Sequence, residues 1–465
     1  VNTQPSEISG FEEVKPEQQT QDDAHAGDSN QADQPCVDAY YDSARKEYLV
    51  RNQGERWLSH ATTAFKMLVR EKGFSTKIPE GSRISPAEKI MIDIMDTRDV
   101  RYAAPLAGRK AGFYDESGVR FLVTDSPRII APVEGDWDTI RGLLHGLVGQ
   151  EPEYGKRQYE TLMGWIKIGY EALASGKRQS GQALAMAGVV NCGKSLLQLL
   201  ITEILGGRSA KPYRYMAGGT DFNSDLFAAE HLMLEDEETS TDIRSRLKLK
   251  ARIKEITVNQ TQSCHAKGRE AVTLSPFWRL TISLNDEDEN LMVLPPMSDD
   301  LADKITLLRC SVPQAPFPTG TLELKEAYWA RLTSELPAFI HYLTTWTVPP
   351  ELSNQRYGIR HFHHPDLLSA LAALAPETKL LELIDREIWK DDEVHPWQGN
   401  AGELESMLRR PTSDVRQEAD RLLAWGNACG SYLGRLAKKH PDRVKSHRSA
   451  TSRRWTITPP PDDAE

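Results

Sequence analysis

The run Gly188-Val189-Val190-Asn191-Cys192-Gly193-Lys194-Ser195 decides how the rest of the chain is read. It satisfies G-x-x-x-x-G-K-[ST], a loop whose backbone N–H groups cradle nucleotide phosphates while its lysine reaches the β- and γ-phosphates and its hydroxyl ligates Mg²⁺. The context agrees. Ala183 to Ala187 is a short apolar run that reads as a buried strand entering the loop, and Ser195 to Leu205 has the Leu/Ile content and length of a helix leaving it. Strand, loop and helix in that order predict an α/β nucleotide-binding domain with ATP and Mg²⁺ as cofactors. Gly188, Asn191, Cys192, Gly193, Lys194, Ser195 and Leu196 are the expected nucleotide contacts, and Ser195 is also an expected metal ligand.

Outside the loop, composition sets broad limits. A chain of 465 residues is long enough for two or three domains, and 39% hydrophobic with 27% charged residues is the balance of an ordinary soluble protein. The net charge of −10 argues against a nucleic-acid partner until its distribution is read. The acids from Glu7 to Asp33 face Lys15 alone, and Asp462, Asp463 and Glu465 close the chain; these two ends account for the whole net charge. The segment between them is formally neutral. Cys36, Cys192, Cys264, Cys310 and Cys429 are scattered without a C-x-x-C pair, and read as reduced thiols of a cytoplasmic protein rather than a disulfide framework or zinc site. No apolar run approaches the roughly 18–20 residues of a membrane span, and the polar, acidic start does not read as a secretion signal.

Residues 1–37, rich in Gln, Glu, Asp, Ser and Pro, read as a disordered acidic tail. A small α/β accessory domain is expected over 38–150. It holds a hairpin from Glu47 to Leu58 turned at Asn52-Gln53-Gly54, helices at Thr62 to Lys72, Pro86 to Met95 and Trp137 to Leu147, and a strand at Arg120 to Thr124. No catalytic constellation stands out in it. Tyr159 to Ser175 reads as a helix leading into the ATPase domain, assigned to 151–320.

Beyond the loop, His231 to Leu234 reads as an apolar strand ending in Glu235-Asp236-Glu237-Glu238. A carboxylate at the end of a strand next to the loop strand can hold the Mg²⁺ shell while its neighbour polarises the attacking water. Glu235 is assigned to the metal and Asp236 to the water, with Glu237 competing; a solvated acidic turn is the plainer alternative. Asp242 to Glu255 is a charged helix. Ile256 to Asn259 and Ala271 to Leu274 read as strands around a hairpin whose tip offers His265, Lys267 and Arg269, suited to a phosphate backbone or to simple solvation. Arg279 to Asn285 is a β-rich run whose terminal Asn285 either reaches the γ-phosphate or attacking water, or caps its strand.

In this order the motifs resemble the superfamily 3 helicases of small DNA viruses, and among them the helicase half of phage and satellite primase-helicases related to the poxvirus type. Phosphate loop, acidic strand end (Glu235, Asp236), basic pre-sensor hairpin (Lys267) and sensor Asn285 follow one another compactly. The resemblance covers 175–315 and extends loosely upstream to Ala104-Pro105-Leu106-Ala107-Gly108 and Phe121 to Thr124. It implies an AAA+-like ATPase, a homo-hexameric ring binding ATP between subunits, and 3′-to-5′ translocation on single-stranded DNA held in the channel by His265, Lys267 and Arg269. No primase or polymerase constellation accompanies it, so priming falls to a separate primase or polymerase. One departure concerns the arginine finger that the family places in a segment similar to Ser298 to Ile305, where this chain has Lys304. Either Lys304 supplies the cation to the neighbouring subunit's γ-phosphate, or Arg309 does, or trans-activation is weak, since lysine lacks the arginine fork.

Residues 321–390 read as a helical linker or lid with Trp329, Trp346 and Leu367 to Leu374 as core. Arg360-His361-Phe362-His363-His364 has no standard metal-site spacing. Over 391–458, helices at Gly399 to Leu408, Asp414 to Cys429 and Gly430 to His440, then a strand-like Ser449 to Thr458, suggest a winged helix; 459–465 is an acidic tail. The third helix and wing carry Arg435, Lys438, Lys439, Arg443, Lys445, Arg448, Arg453 and Arg454 against Asp442, with Tyr432 and Trp455 among them. That is the footprint of duplex DNA binding, a solvated basic terminus or a protein-contact module being the alternatives. The sequence therefore predicts an α/β P-loop ATPase between a small α/β domain and a winged helix, acting as a DNA helicase or replication initiator of a phage or mobile element. An initiator that uses ATP only for assembly, and a P-loop kinase or signalling ATPase, are the rival readings.

Overall fold

Ala183–Gly188, Arg279–Leu284 and Ile305–Cys310 are buried at nearly every position, as strands covered on both faces must be. They are three adjacent strands of a five-stranded parallel sheet in the computed structural model, which describes residues 37–460 apart from 53, 178, 236–242, 296, 315–316, 391–394 and 449–452. On one side of the loop strand lies Ile305–Cys310; on the other lie Arg279–Leu284, His231–Leu234 and the short Ser209–Ala210. The register sets Leu284 beside Ala187 and Cys310 beside Gly188, so three strands end together at the phosphate loop. The strand preceding Glu235 does not neighbour the loop strand, contrary to expectation, because Arg279–Leu284 inserts between them. Parallel strands are joined by crossovers, and order along the chain does not set order in such a sheet.

Side chains alternate between two cores. Leu184 and Met186 face a cluster with Leu162, Ile166, Leu200 and Phe339, whereas Ala183, Ala185 and Ala187 face one with Phe227, Leu249, Trp278 and Leu371. The helix Gly155–Ser175 belongs to the first and stops at Gly176, as expected from Tyr159 to Ser175.

Upstream, Ala39–Asp42, Glu47–Arg51, Trp57–His60 and Asp99–Val100 form a sheet packed on helices Thr62–Glu71 and Pro86–Thr97. Ser85 and Glu88 close a capping box on the second helix. The expected hairpin is present, but it pairs with Ala39–Asp42, which the sequence reading did not foresee. Phe121 and Val123 join one core of the parallel-sheet domain while Trp137, Ile140 and Leu143 join the other, so apolar packing runs straight through residue 150.

Three local expectations are corrected. Ile256 to Val258 is not a strand but the last turn of helix Ile243–Val258, because Arg246, Leu249, Ile253 and Thr257 place one buried face at helical spacing and override the β-branched run. The hairpin is Gln262–Cys264 with Val272–Leu274. Gly399 lies in the strand Trp397–Asn400, and the helix begins at Ala401 under an Asn400–Glu403 capping box. Asp414 to Cys429 is broken: Arg416–Leu422 ends at Leu423, and Asn427, with φ 66°, precedes a new helix Ala428–Lys439 that absorbs Gly430.

Further along, helices Leu322–Ser334 and Leu336–Thr345 cover the first core of the parallel-sheet domain. Pro365–Ala373 buries Leu367 and Leu371 in the second, and Pro376–Ile388 buries Leu380 and Ile384 in the terminal module. That module ends in the sheet Trp397–Asn400, Arg453–Ile457, Val444–Arg448, the second of which falls within the strand expected over Ser449 to Thr458. The acidic ends at 1–36 and 461–465 lie outside the described residues. No helix among the described residues is long and apolar enough to cross a membrane.

Candidate nucleotide-binding site and basic surfaces

The phosphate loop leaves the sheet at Gly188 and enters the helix Lys194–Ile204 through two left-handed residues, Asn191 at φ 61° and Gly193 at φ 114°. A Cβ at Gly193 would be strained by that backbone and would stand 2.9 Å from the Phe317 ring, so both turn and packing require glycine. Lys194 is 6% exposed. Its Nζ donates to the carbonyls of Gly188 (2.7 Å) and Val189 (2.8 Å) and to Asn285 Oδ1 (3.4 Å), which satisfies a buried ammonium. Cys192 is buried beneath the loop, its Sγ 3.7 Å from the same Nζ. A hydrogen bond from the Cys310 thiol, helped by Lys194, holds the Cys192 thiol below its ordinary range, while Cys310 is pushed well up. All four described cysteines are free and buried.

A cavity of about 850 Å³ opens over the loop. It brings together Lys194, Ser195, Leu196, Glu235 and Asn285, residues that the sequence pattern selected from three different strand ends. Glu235 is half-buried and paired with Lys211; Asp236 and Glu237 lie outside the described residues. Across the cavity stand Phe317, Lys325, Tyr328 and Trp329, none of which the sequence reading assigned to the site. Their one legible signal is the pair Lys325 and Trp329, four residues apart on a helix whose N-cap, Thr321, accepts from the Leu324 N–H. A volume of this size, with a charged floor and aromatic wall, matches a small-molecule site.

The two candidate trans-acting cations are placed differently. Lys304 is 8% exposed, precedes the strand at the sheet edge away from the loop, and gives its ammonium to Asp303 at 2.5 Å. Arg309 is at the loop end of that strand, bordering a second cavity of about 390 Å³ with Val189 and Asp286, and its guanidinium bonds Asp366 at 2.7 Å. Glu151, His364 and Asp366 bring ligand-type atoms within 4.8 Å of one another. Here His364 Nε2 is bonded to Glu151 (2.7 Å) and Asp366 to Arg309, so His364 and Asp366 are both engaged within the chain.

At the basic hairpin, Lys267 is exposed beside Gly268, whereas Arg269 is half-buried. His265 is docked: its N–H donates to Asn223 Oδ1 (2.8 Å), its carbonyl accepts from the Asn223 N–H (3.0 Å), and its ring meets Phe222. In the terminal module Arg443 makes a two-pronged bond to Asp385 (2.8 and 3.0 Å) and donates to the Thr458 carbonyl. Arg435 and Lys439 converge on Glu377, which is 3% exposed. Lys438 stays exposed on the helix; Lys445, Arg448, Arg453 and Arg454 are exposed on the terminal strand pair, with Arg453 over the Trp455 ring. None of these five has a carboxylate partner among the described residues.

No family model matches the chain, and no curated protein matches it. Among solved structures, the apo structure of the NrS-1 C-terminal region is similar over 91% of this chain and 96% of that one, with 15% identity and a TM-score of 0.53. A second apo form of that region gives 15% identity and 0.52, over 91% and 97%. The X-ray structure of JCV helicase is matched over 54% of this chain and 61% of that one, at 12% identity and a TM-score of 0.26. At these identities the likeness to the NrS-1 region is one of fold, and it spans nine-tenths of the chain described here.

Proposed function

We propose that this chain is an ATP-dependent DNA helicase or replication initiator of a phage or mobile genetic element, cytoplasmic, and acting as a homo-hexameric ring on single-stranded DNA. The observation that carries the reading is the convergence of Lys194, Ser195, Glu235 and Asn285 on one cavity at the C-terminal edge of a parallel sheet, where open α/β sheets bind ligands. The residues fit ATP with Mg²⁺. The loop N–H groups at a helix N-terminus favour an anion, Ser195 and Glu235 offer hard oxygen donors, and the aromatic wall offers faces for a base.

In this mechanism Lys194 exchanges its loop carbonyls for phosphate oxygens. Asn285, already beside Lys194, orients the γ-phosphate or the attacking water, and Asp236 accepts the water's proton. Bound Mg²⁺ supplies electrostatic stabilisation of charge developing on the phosphoryl oxygens. Arg309, at the loop end of its strand, is the better placed of the two candidate fingers once released from Asp366. Lys267 holds single-stranded DNA in the channel, the terminal module acts as a winged helix on duplex DNA, and a separate primase or polymerase extends the exposed strand.

A strand-displacement assay on forked DNA with ATP tests this. Displacement that disappears in Lys194→Ala and weakens in Lys267→Ala is expected; hydrolysis without displacement, unaffected by Lys267→Ala, overturns the helicase reading. The initiator reading, with ATP driving assembly and little unwinding, is favoured by one observation: Lys304 and Arg309 are both ion-paired within their own chain. Footprinting that shows a protected duplex sequence without strand displacement would select it.

A further inference from the structure

Arg279 begins the strand that leads to Asn285, yet its charge has no part in the nucleotide site. The residue is 2% exposed. Its guanidinium lies over the Phe277 ring, 4.6 Å from the centroid, and Nη1 donates to the Trp278 carbonyl (3.1 Å), but Nη2 has no partner among the described residues. Among the described residues no carboxylate is paired with it. Glu230, whose backbone carbonyl accepts the Arg279 N–H, directs its own carboxylate to Arg208 and to the Gly108 N–H. Burial alone lowers the Arg279 pKa, to about 10. An uncompensated interior charge is costly, and protein interiors pair such groups.

The surroundings are shaped for this side chain. A Cβ at Gly181 would fall 2.5 Å from Nε and 2.6 Å from Cζ, so only glycine admits the guanidinium there. Beside it is a cavity of about 40 Å³ whose lining mixes apolar groups, Ile256 and Trp278 among them, with Gln179, Ser180, Asn259 and Gln260, neutral groups able to donate hydrogen bonds. One water needs roughly 10–15 Å³ on this measure, so the space admits a halide or a group of a few heavy atoms.

We propose that this cavity binds a small free monovalent anion, a halide or a simple carboxylate such as formate, held by Arg279 Nη2 and the surrounding amide and hydroxyl donors. Three segments meet there: the approach to the loop strand (179–181), the turn from helix Ile243–Val258 into the basic hairpin (259–262), and the start of the Asn285 strand (276–279). The anion pins the foot of the hairpin to the sheet that carries the ATPase groups. It does so at the edge opposite the phosphate loop, so it is a second site and not part of the first.

Thermal unfolding of the full chain at fixed ionic strength, in gluconate, chloride, bromide and formate, tests the proposal. The three small anions are expected to raise the midpoint saturably over gluconate, which is too large for the cavity. The increment should persist in Lys194→Ala and vanish in Arg279→Met, a change that retains apolar contact with Phe277 and removes the buried charge. In gluconate that variant should be no less stable than the parent. Equal anion increments in parent and Arg279→Met, or none in the parent, would overturn the site. Bromide-soaked crystals give a reading independent of the variant's folding: an anomalous peak beside Nη2 is expected, and its absence from a site occupied by solvent alone refutes the proposal.

Discussion

His231 is fully buried at the start of the strand that precedes Glu235, with Nδ1 2.7 Å from Thr202 Oγ1 and Nε2 2.8 Å from Thr281 Oγ1. Burial lowers its pKa from 6.5 to about 3, so the folded protein keeps it neutral. The unfolded chain binds a proton as pH falls through 6.5 and the folded chain does not until about 3; stability is therefore lost across that window, by about 2 kcal/mol at pH 5. Denaturant unfolding at pH 7 and pH 5 should show this loss in the parent and a smaller one in His231→Gln, and identical losses in both would contradict it. If the cavity over the loop is the proposed ATP site, Lys194→Ala should cut ATP turnover by at least about 100-fold, the scale for removing a group that stabilises transition-state charge. A variant with full turnover would remove Lys194 from the chemistry. Lys194, Ser195 and Asn285 were legible in the sequence because a local motif and a strand end fix where such side chains emerge. Phe317 and Trp329 were not, because they reach the cavity only through the crossovers that bring a later helix over the loop.

Elements that look alike in charge differ once their partners are known. The terminal helix and wing read as one basic stripe in sequence, yet the structure splits it: Arg435, Lys439 and Arg443 hold Pro376–Ile388 in place, while Lys445, Arg448 and Arg454 on the terminal strand pair face solvent. Replacing the last three together by Ala should weaken duplex binding and flatten its salt dependence, by about 0.9 in log–log slope for each phosphate no longer neutralised. Arg443→Ala should instead cost about 1–3 kcal/mol of stability, by stranding the half-buried Asp385 and the Thr458 carbonyl, with little change in that slope. Fluorescence-anisotropy titrations over a salt series, beside denaturant melts, separate the two classes; the reverse pattern would make Arg443 the DNA-binding residue. Pairing of this kind is invisible in sequence because Asp385 and Arg443 come from separate segments of the chain. The run Ile256-Thr257-Val258 misleads for a related reason: its β-branched residues favour a strand locally, but the buried face it continues belongs to a helix.

At the scale of the whole molecule, the loop, the Asn285 strand and the Arg309 strand end on one edge of a sheet, so a ring would have to bring a neighbour's cation to that edge. The order of motifs made the parallel-sheet half readable, whereas the linker that ties it to the terminal module through Leu371 and Ile384 depends on packing that no motif announces. With ATP, the 52.2 kDa chain is expected to assemble into six-membered particles by mass photometry. Within them, Arg309→Ala should hydrolyse ATP on the order of 10³-fold more slowly if Arg309 acts as a finger, while Lys304→Ala, whose ammonium is buried against Asp303, should not. Mixing decides whether the action is in trans. A ring containing both Arg309→Ala and Lys194→Ala subunits has some interfaces where an intact phosphate loop from one meets an intact Arg309 from the other, so two inactive variants should recover part of the turnover on mixing. Recovery would identify Arg309 as a residue that completes the adjacent subunit's site. No recovery, in rings shown by labelled subunits to be mixed, would leave Arg309 acting within its own chain through Asp366, and the site would then be complete without a neighbour.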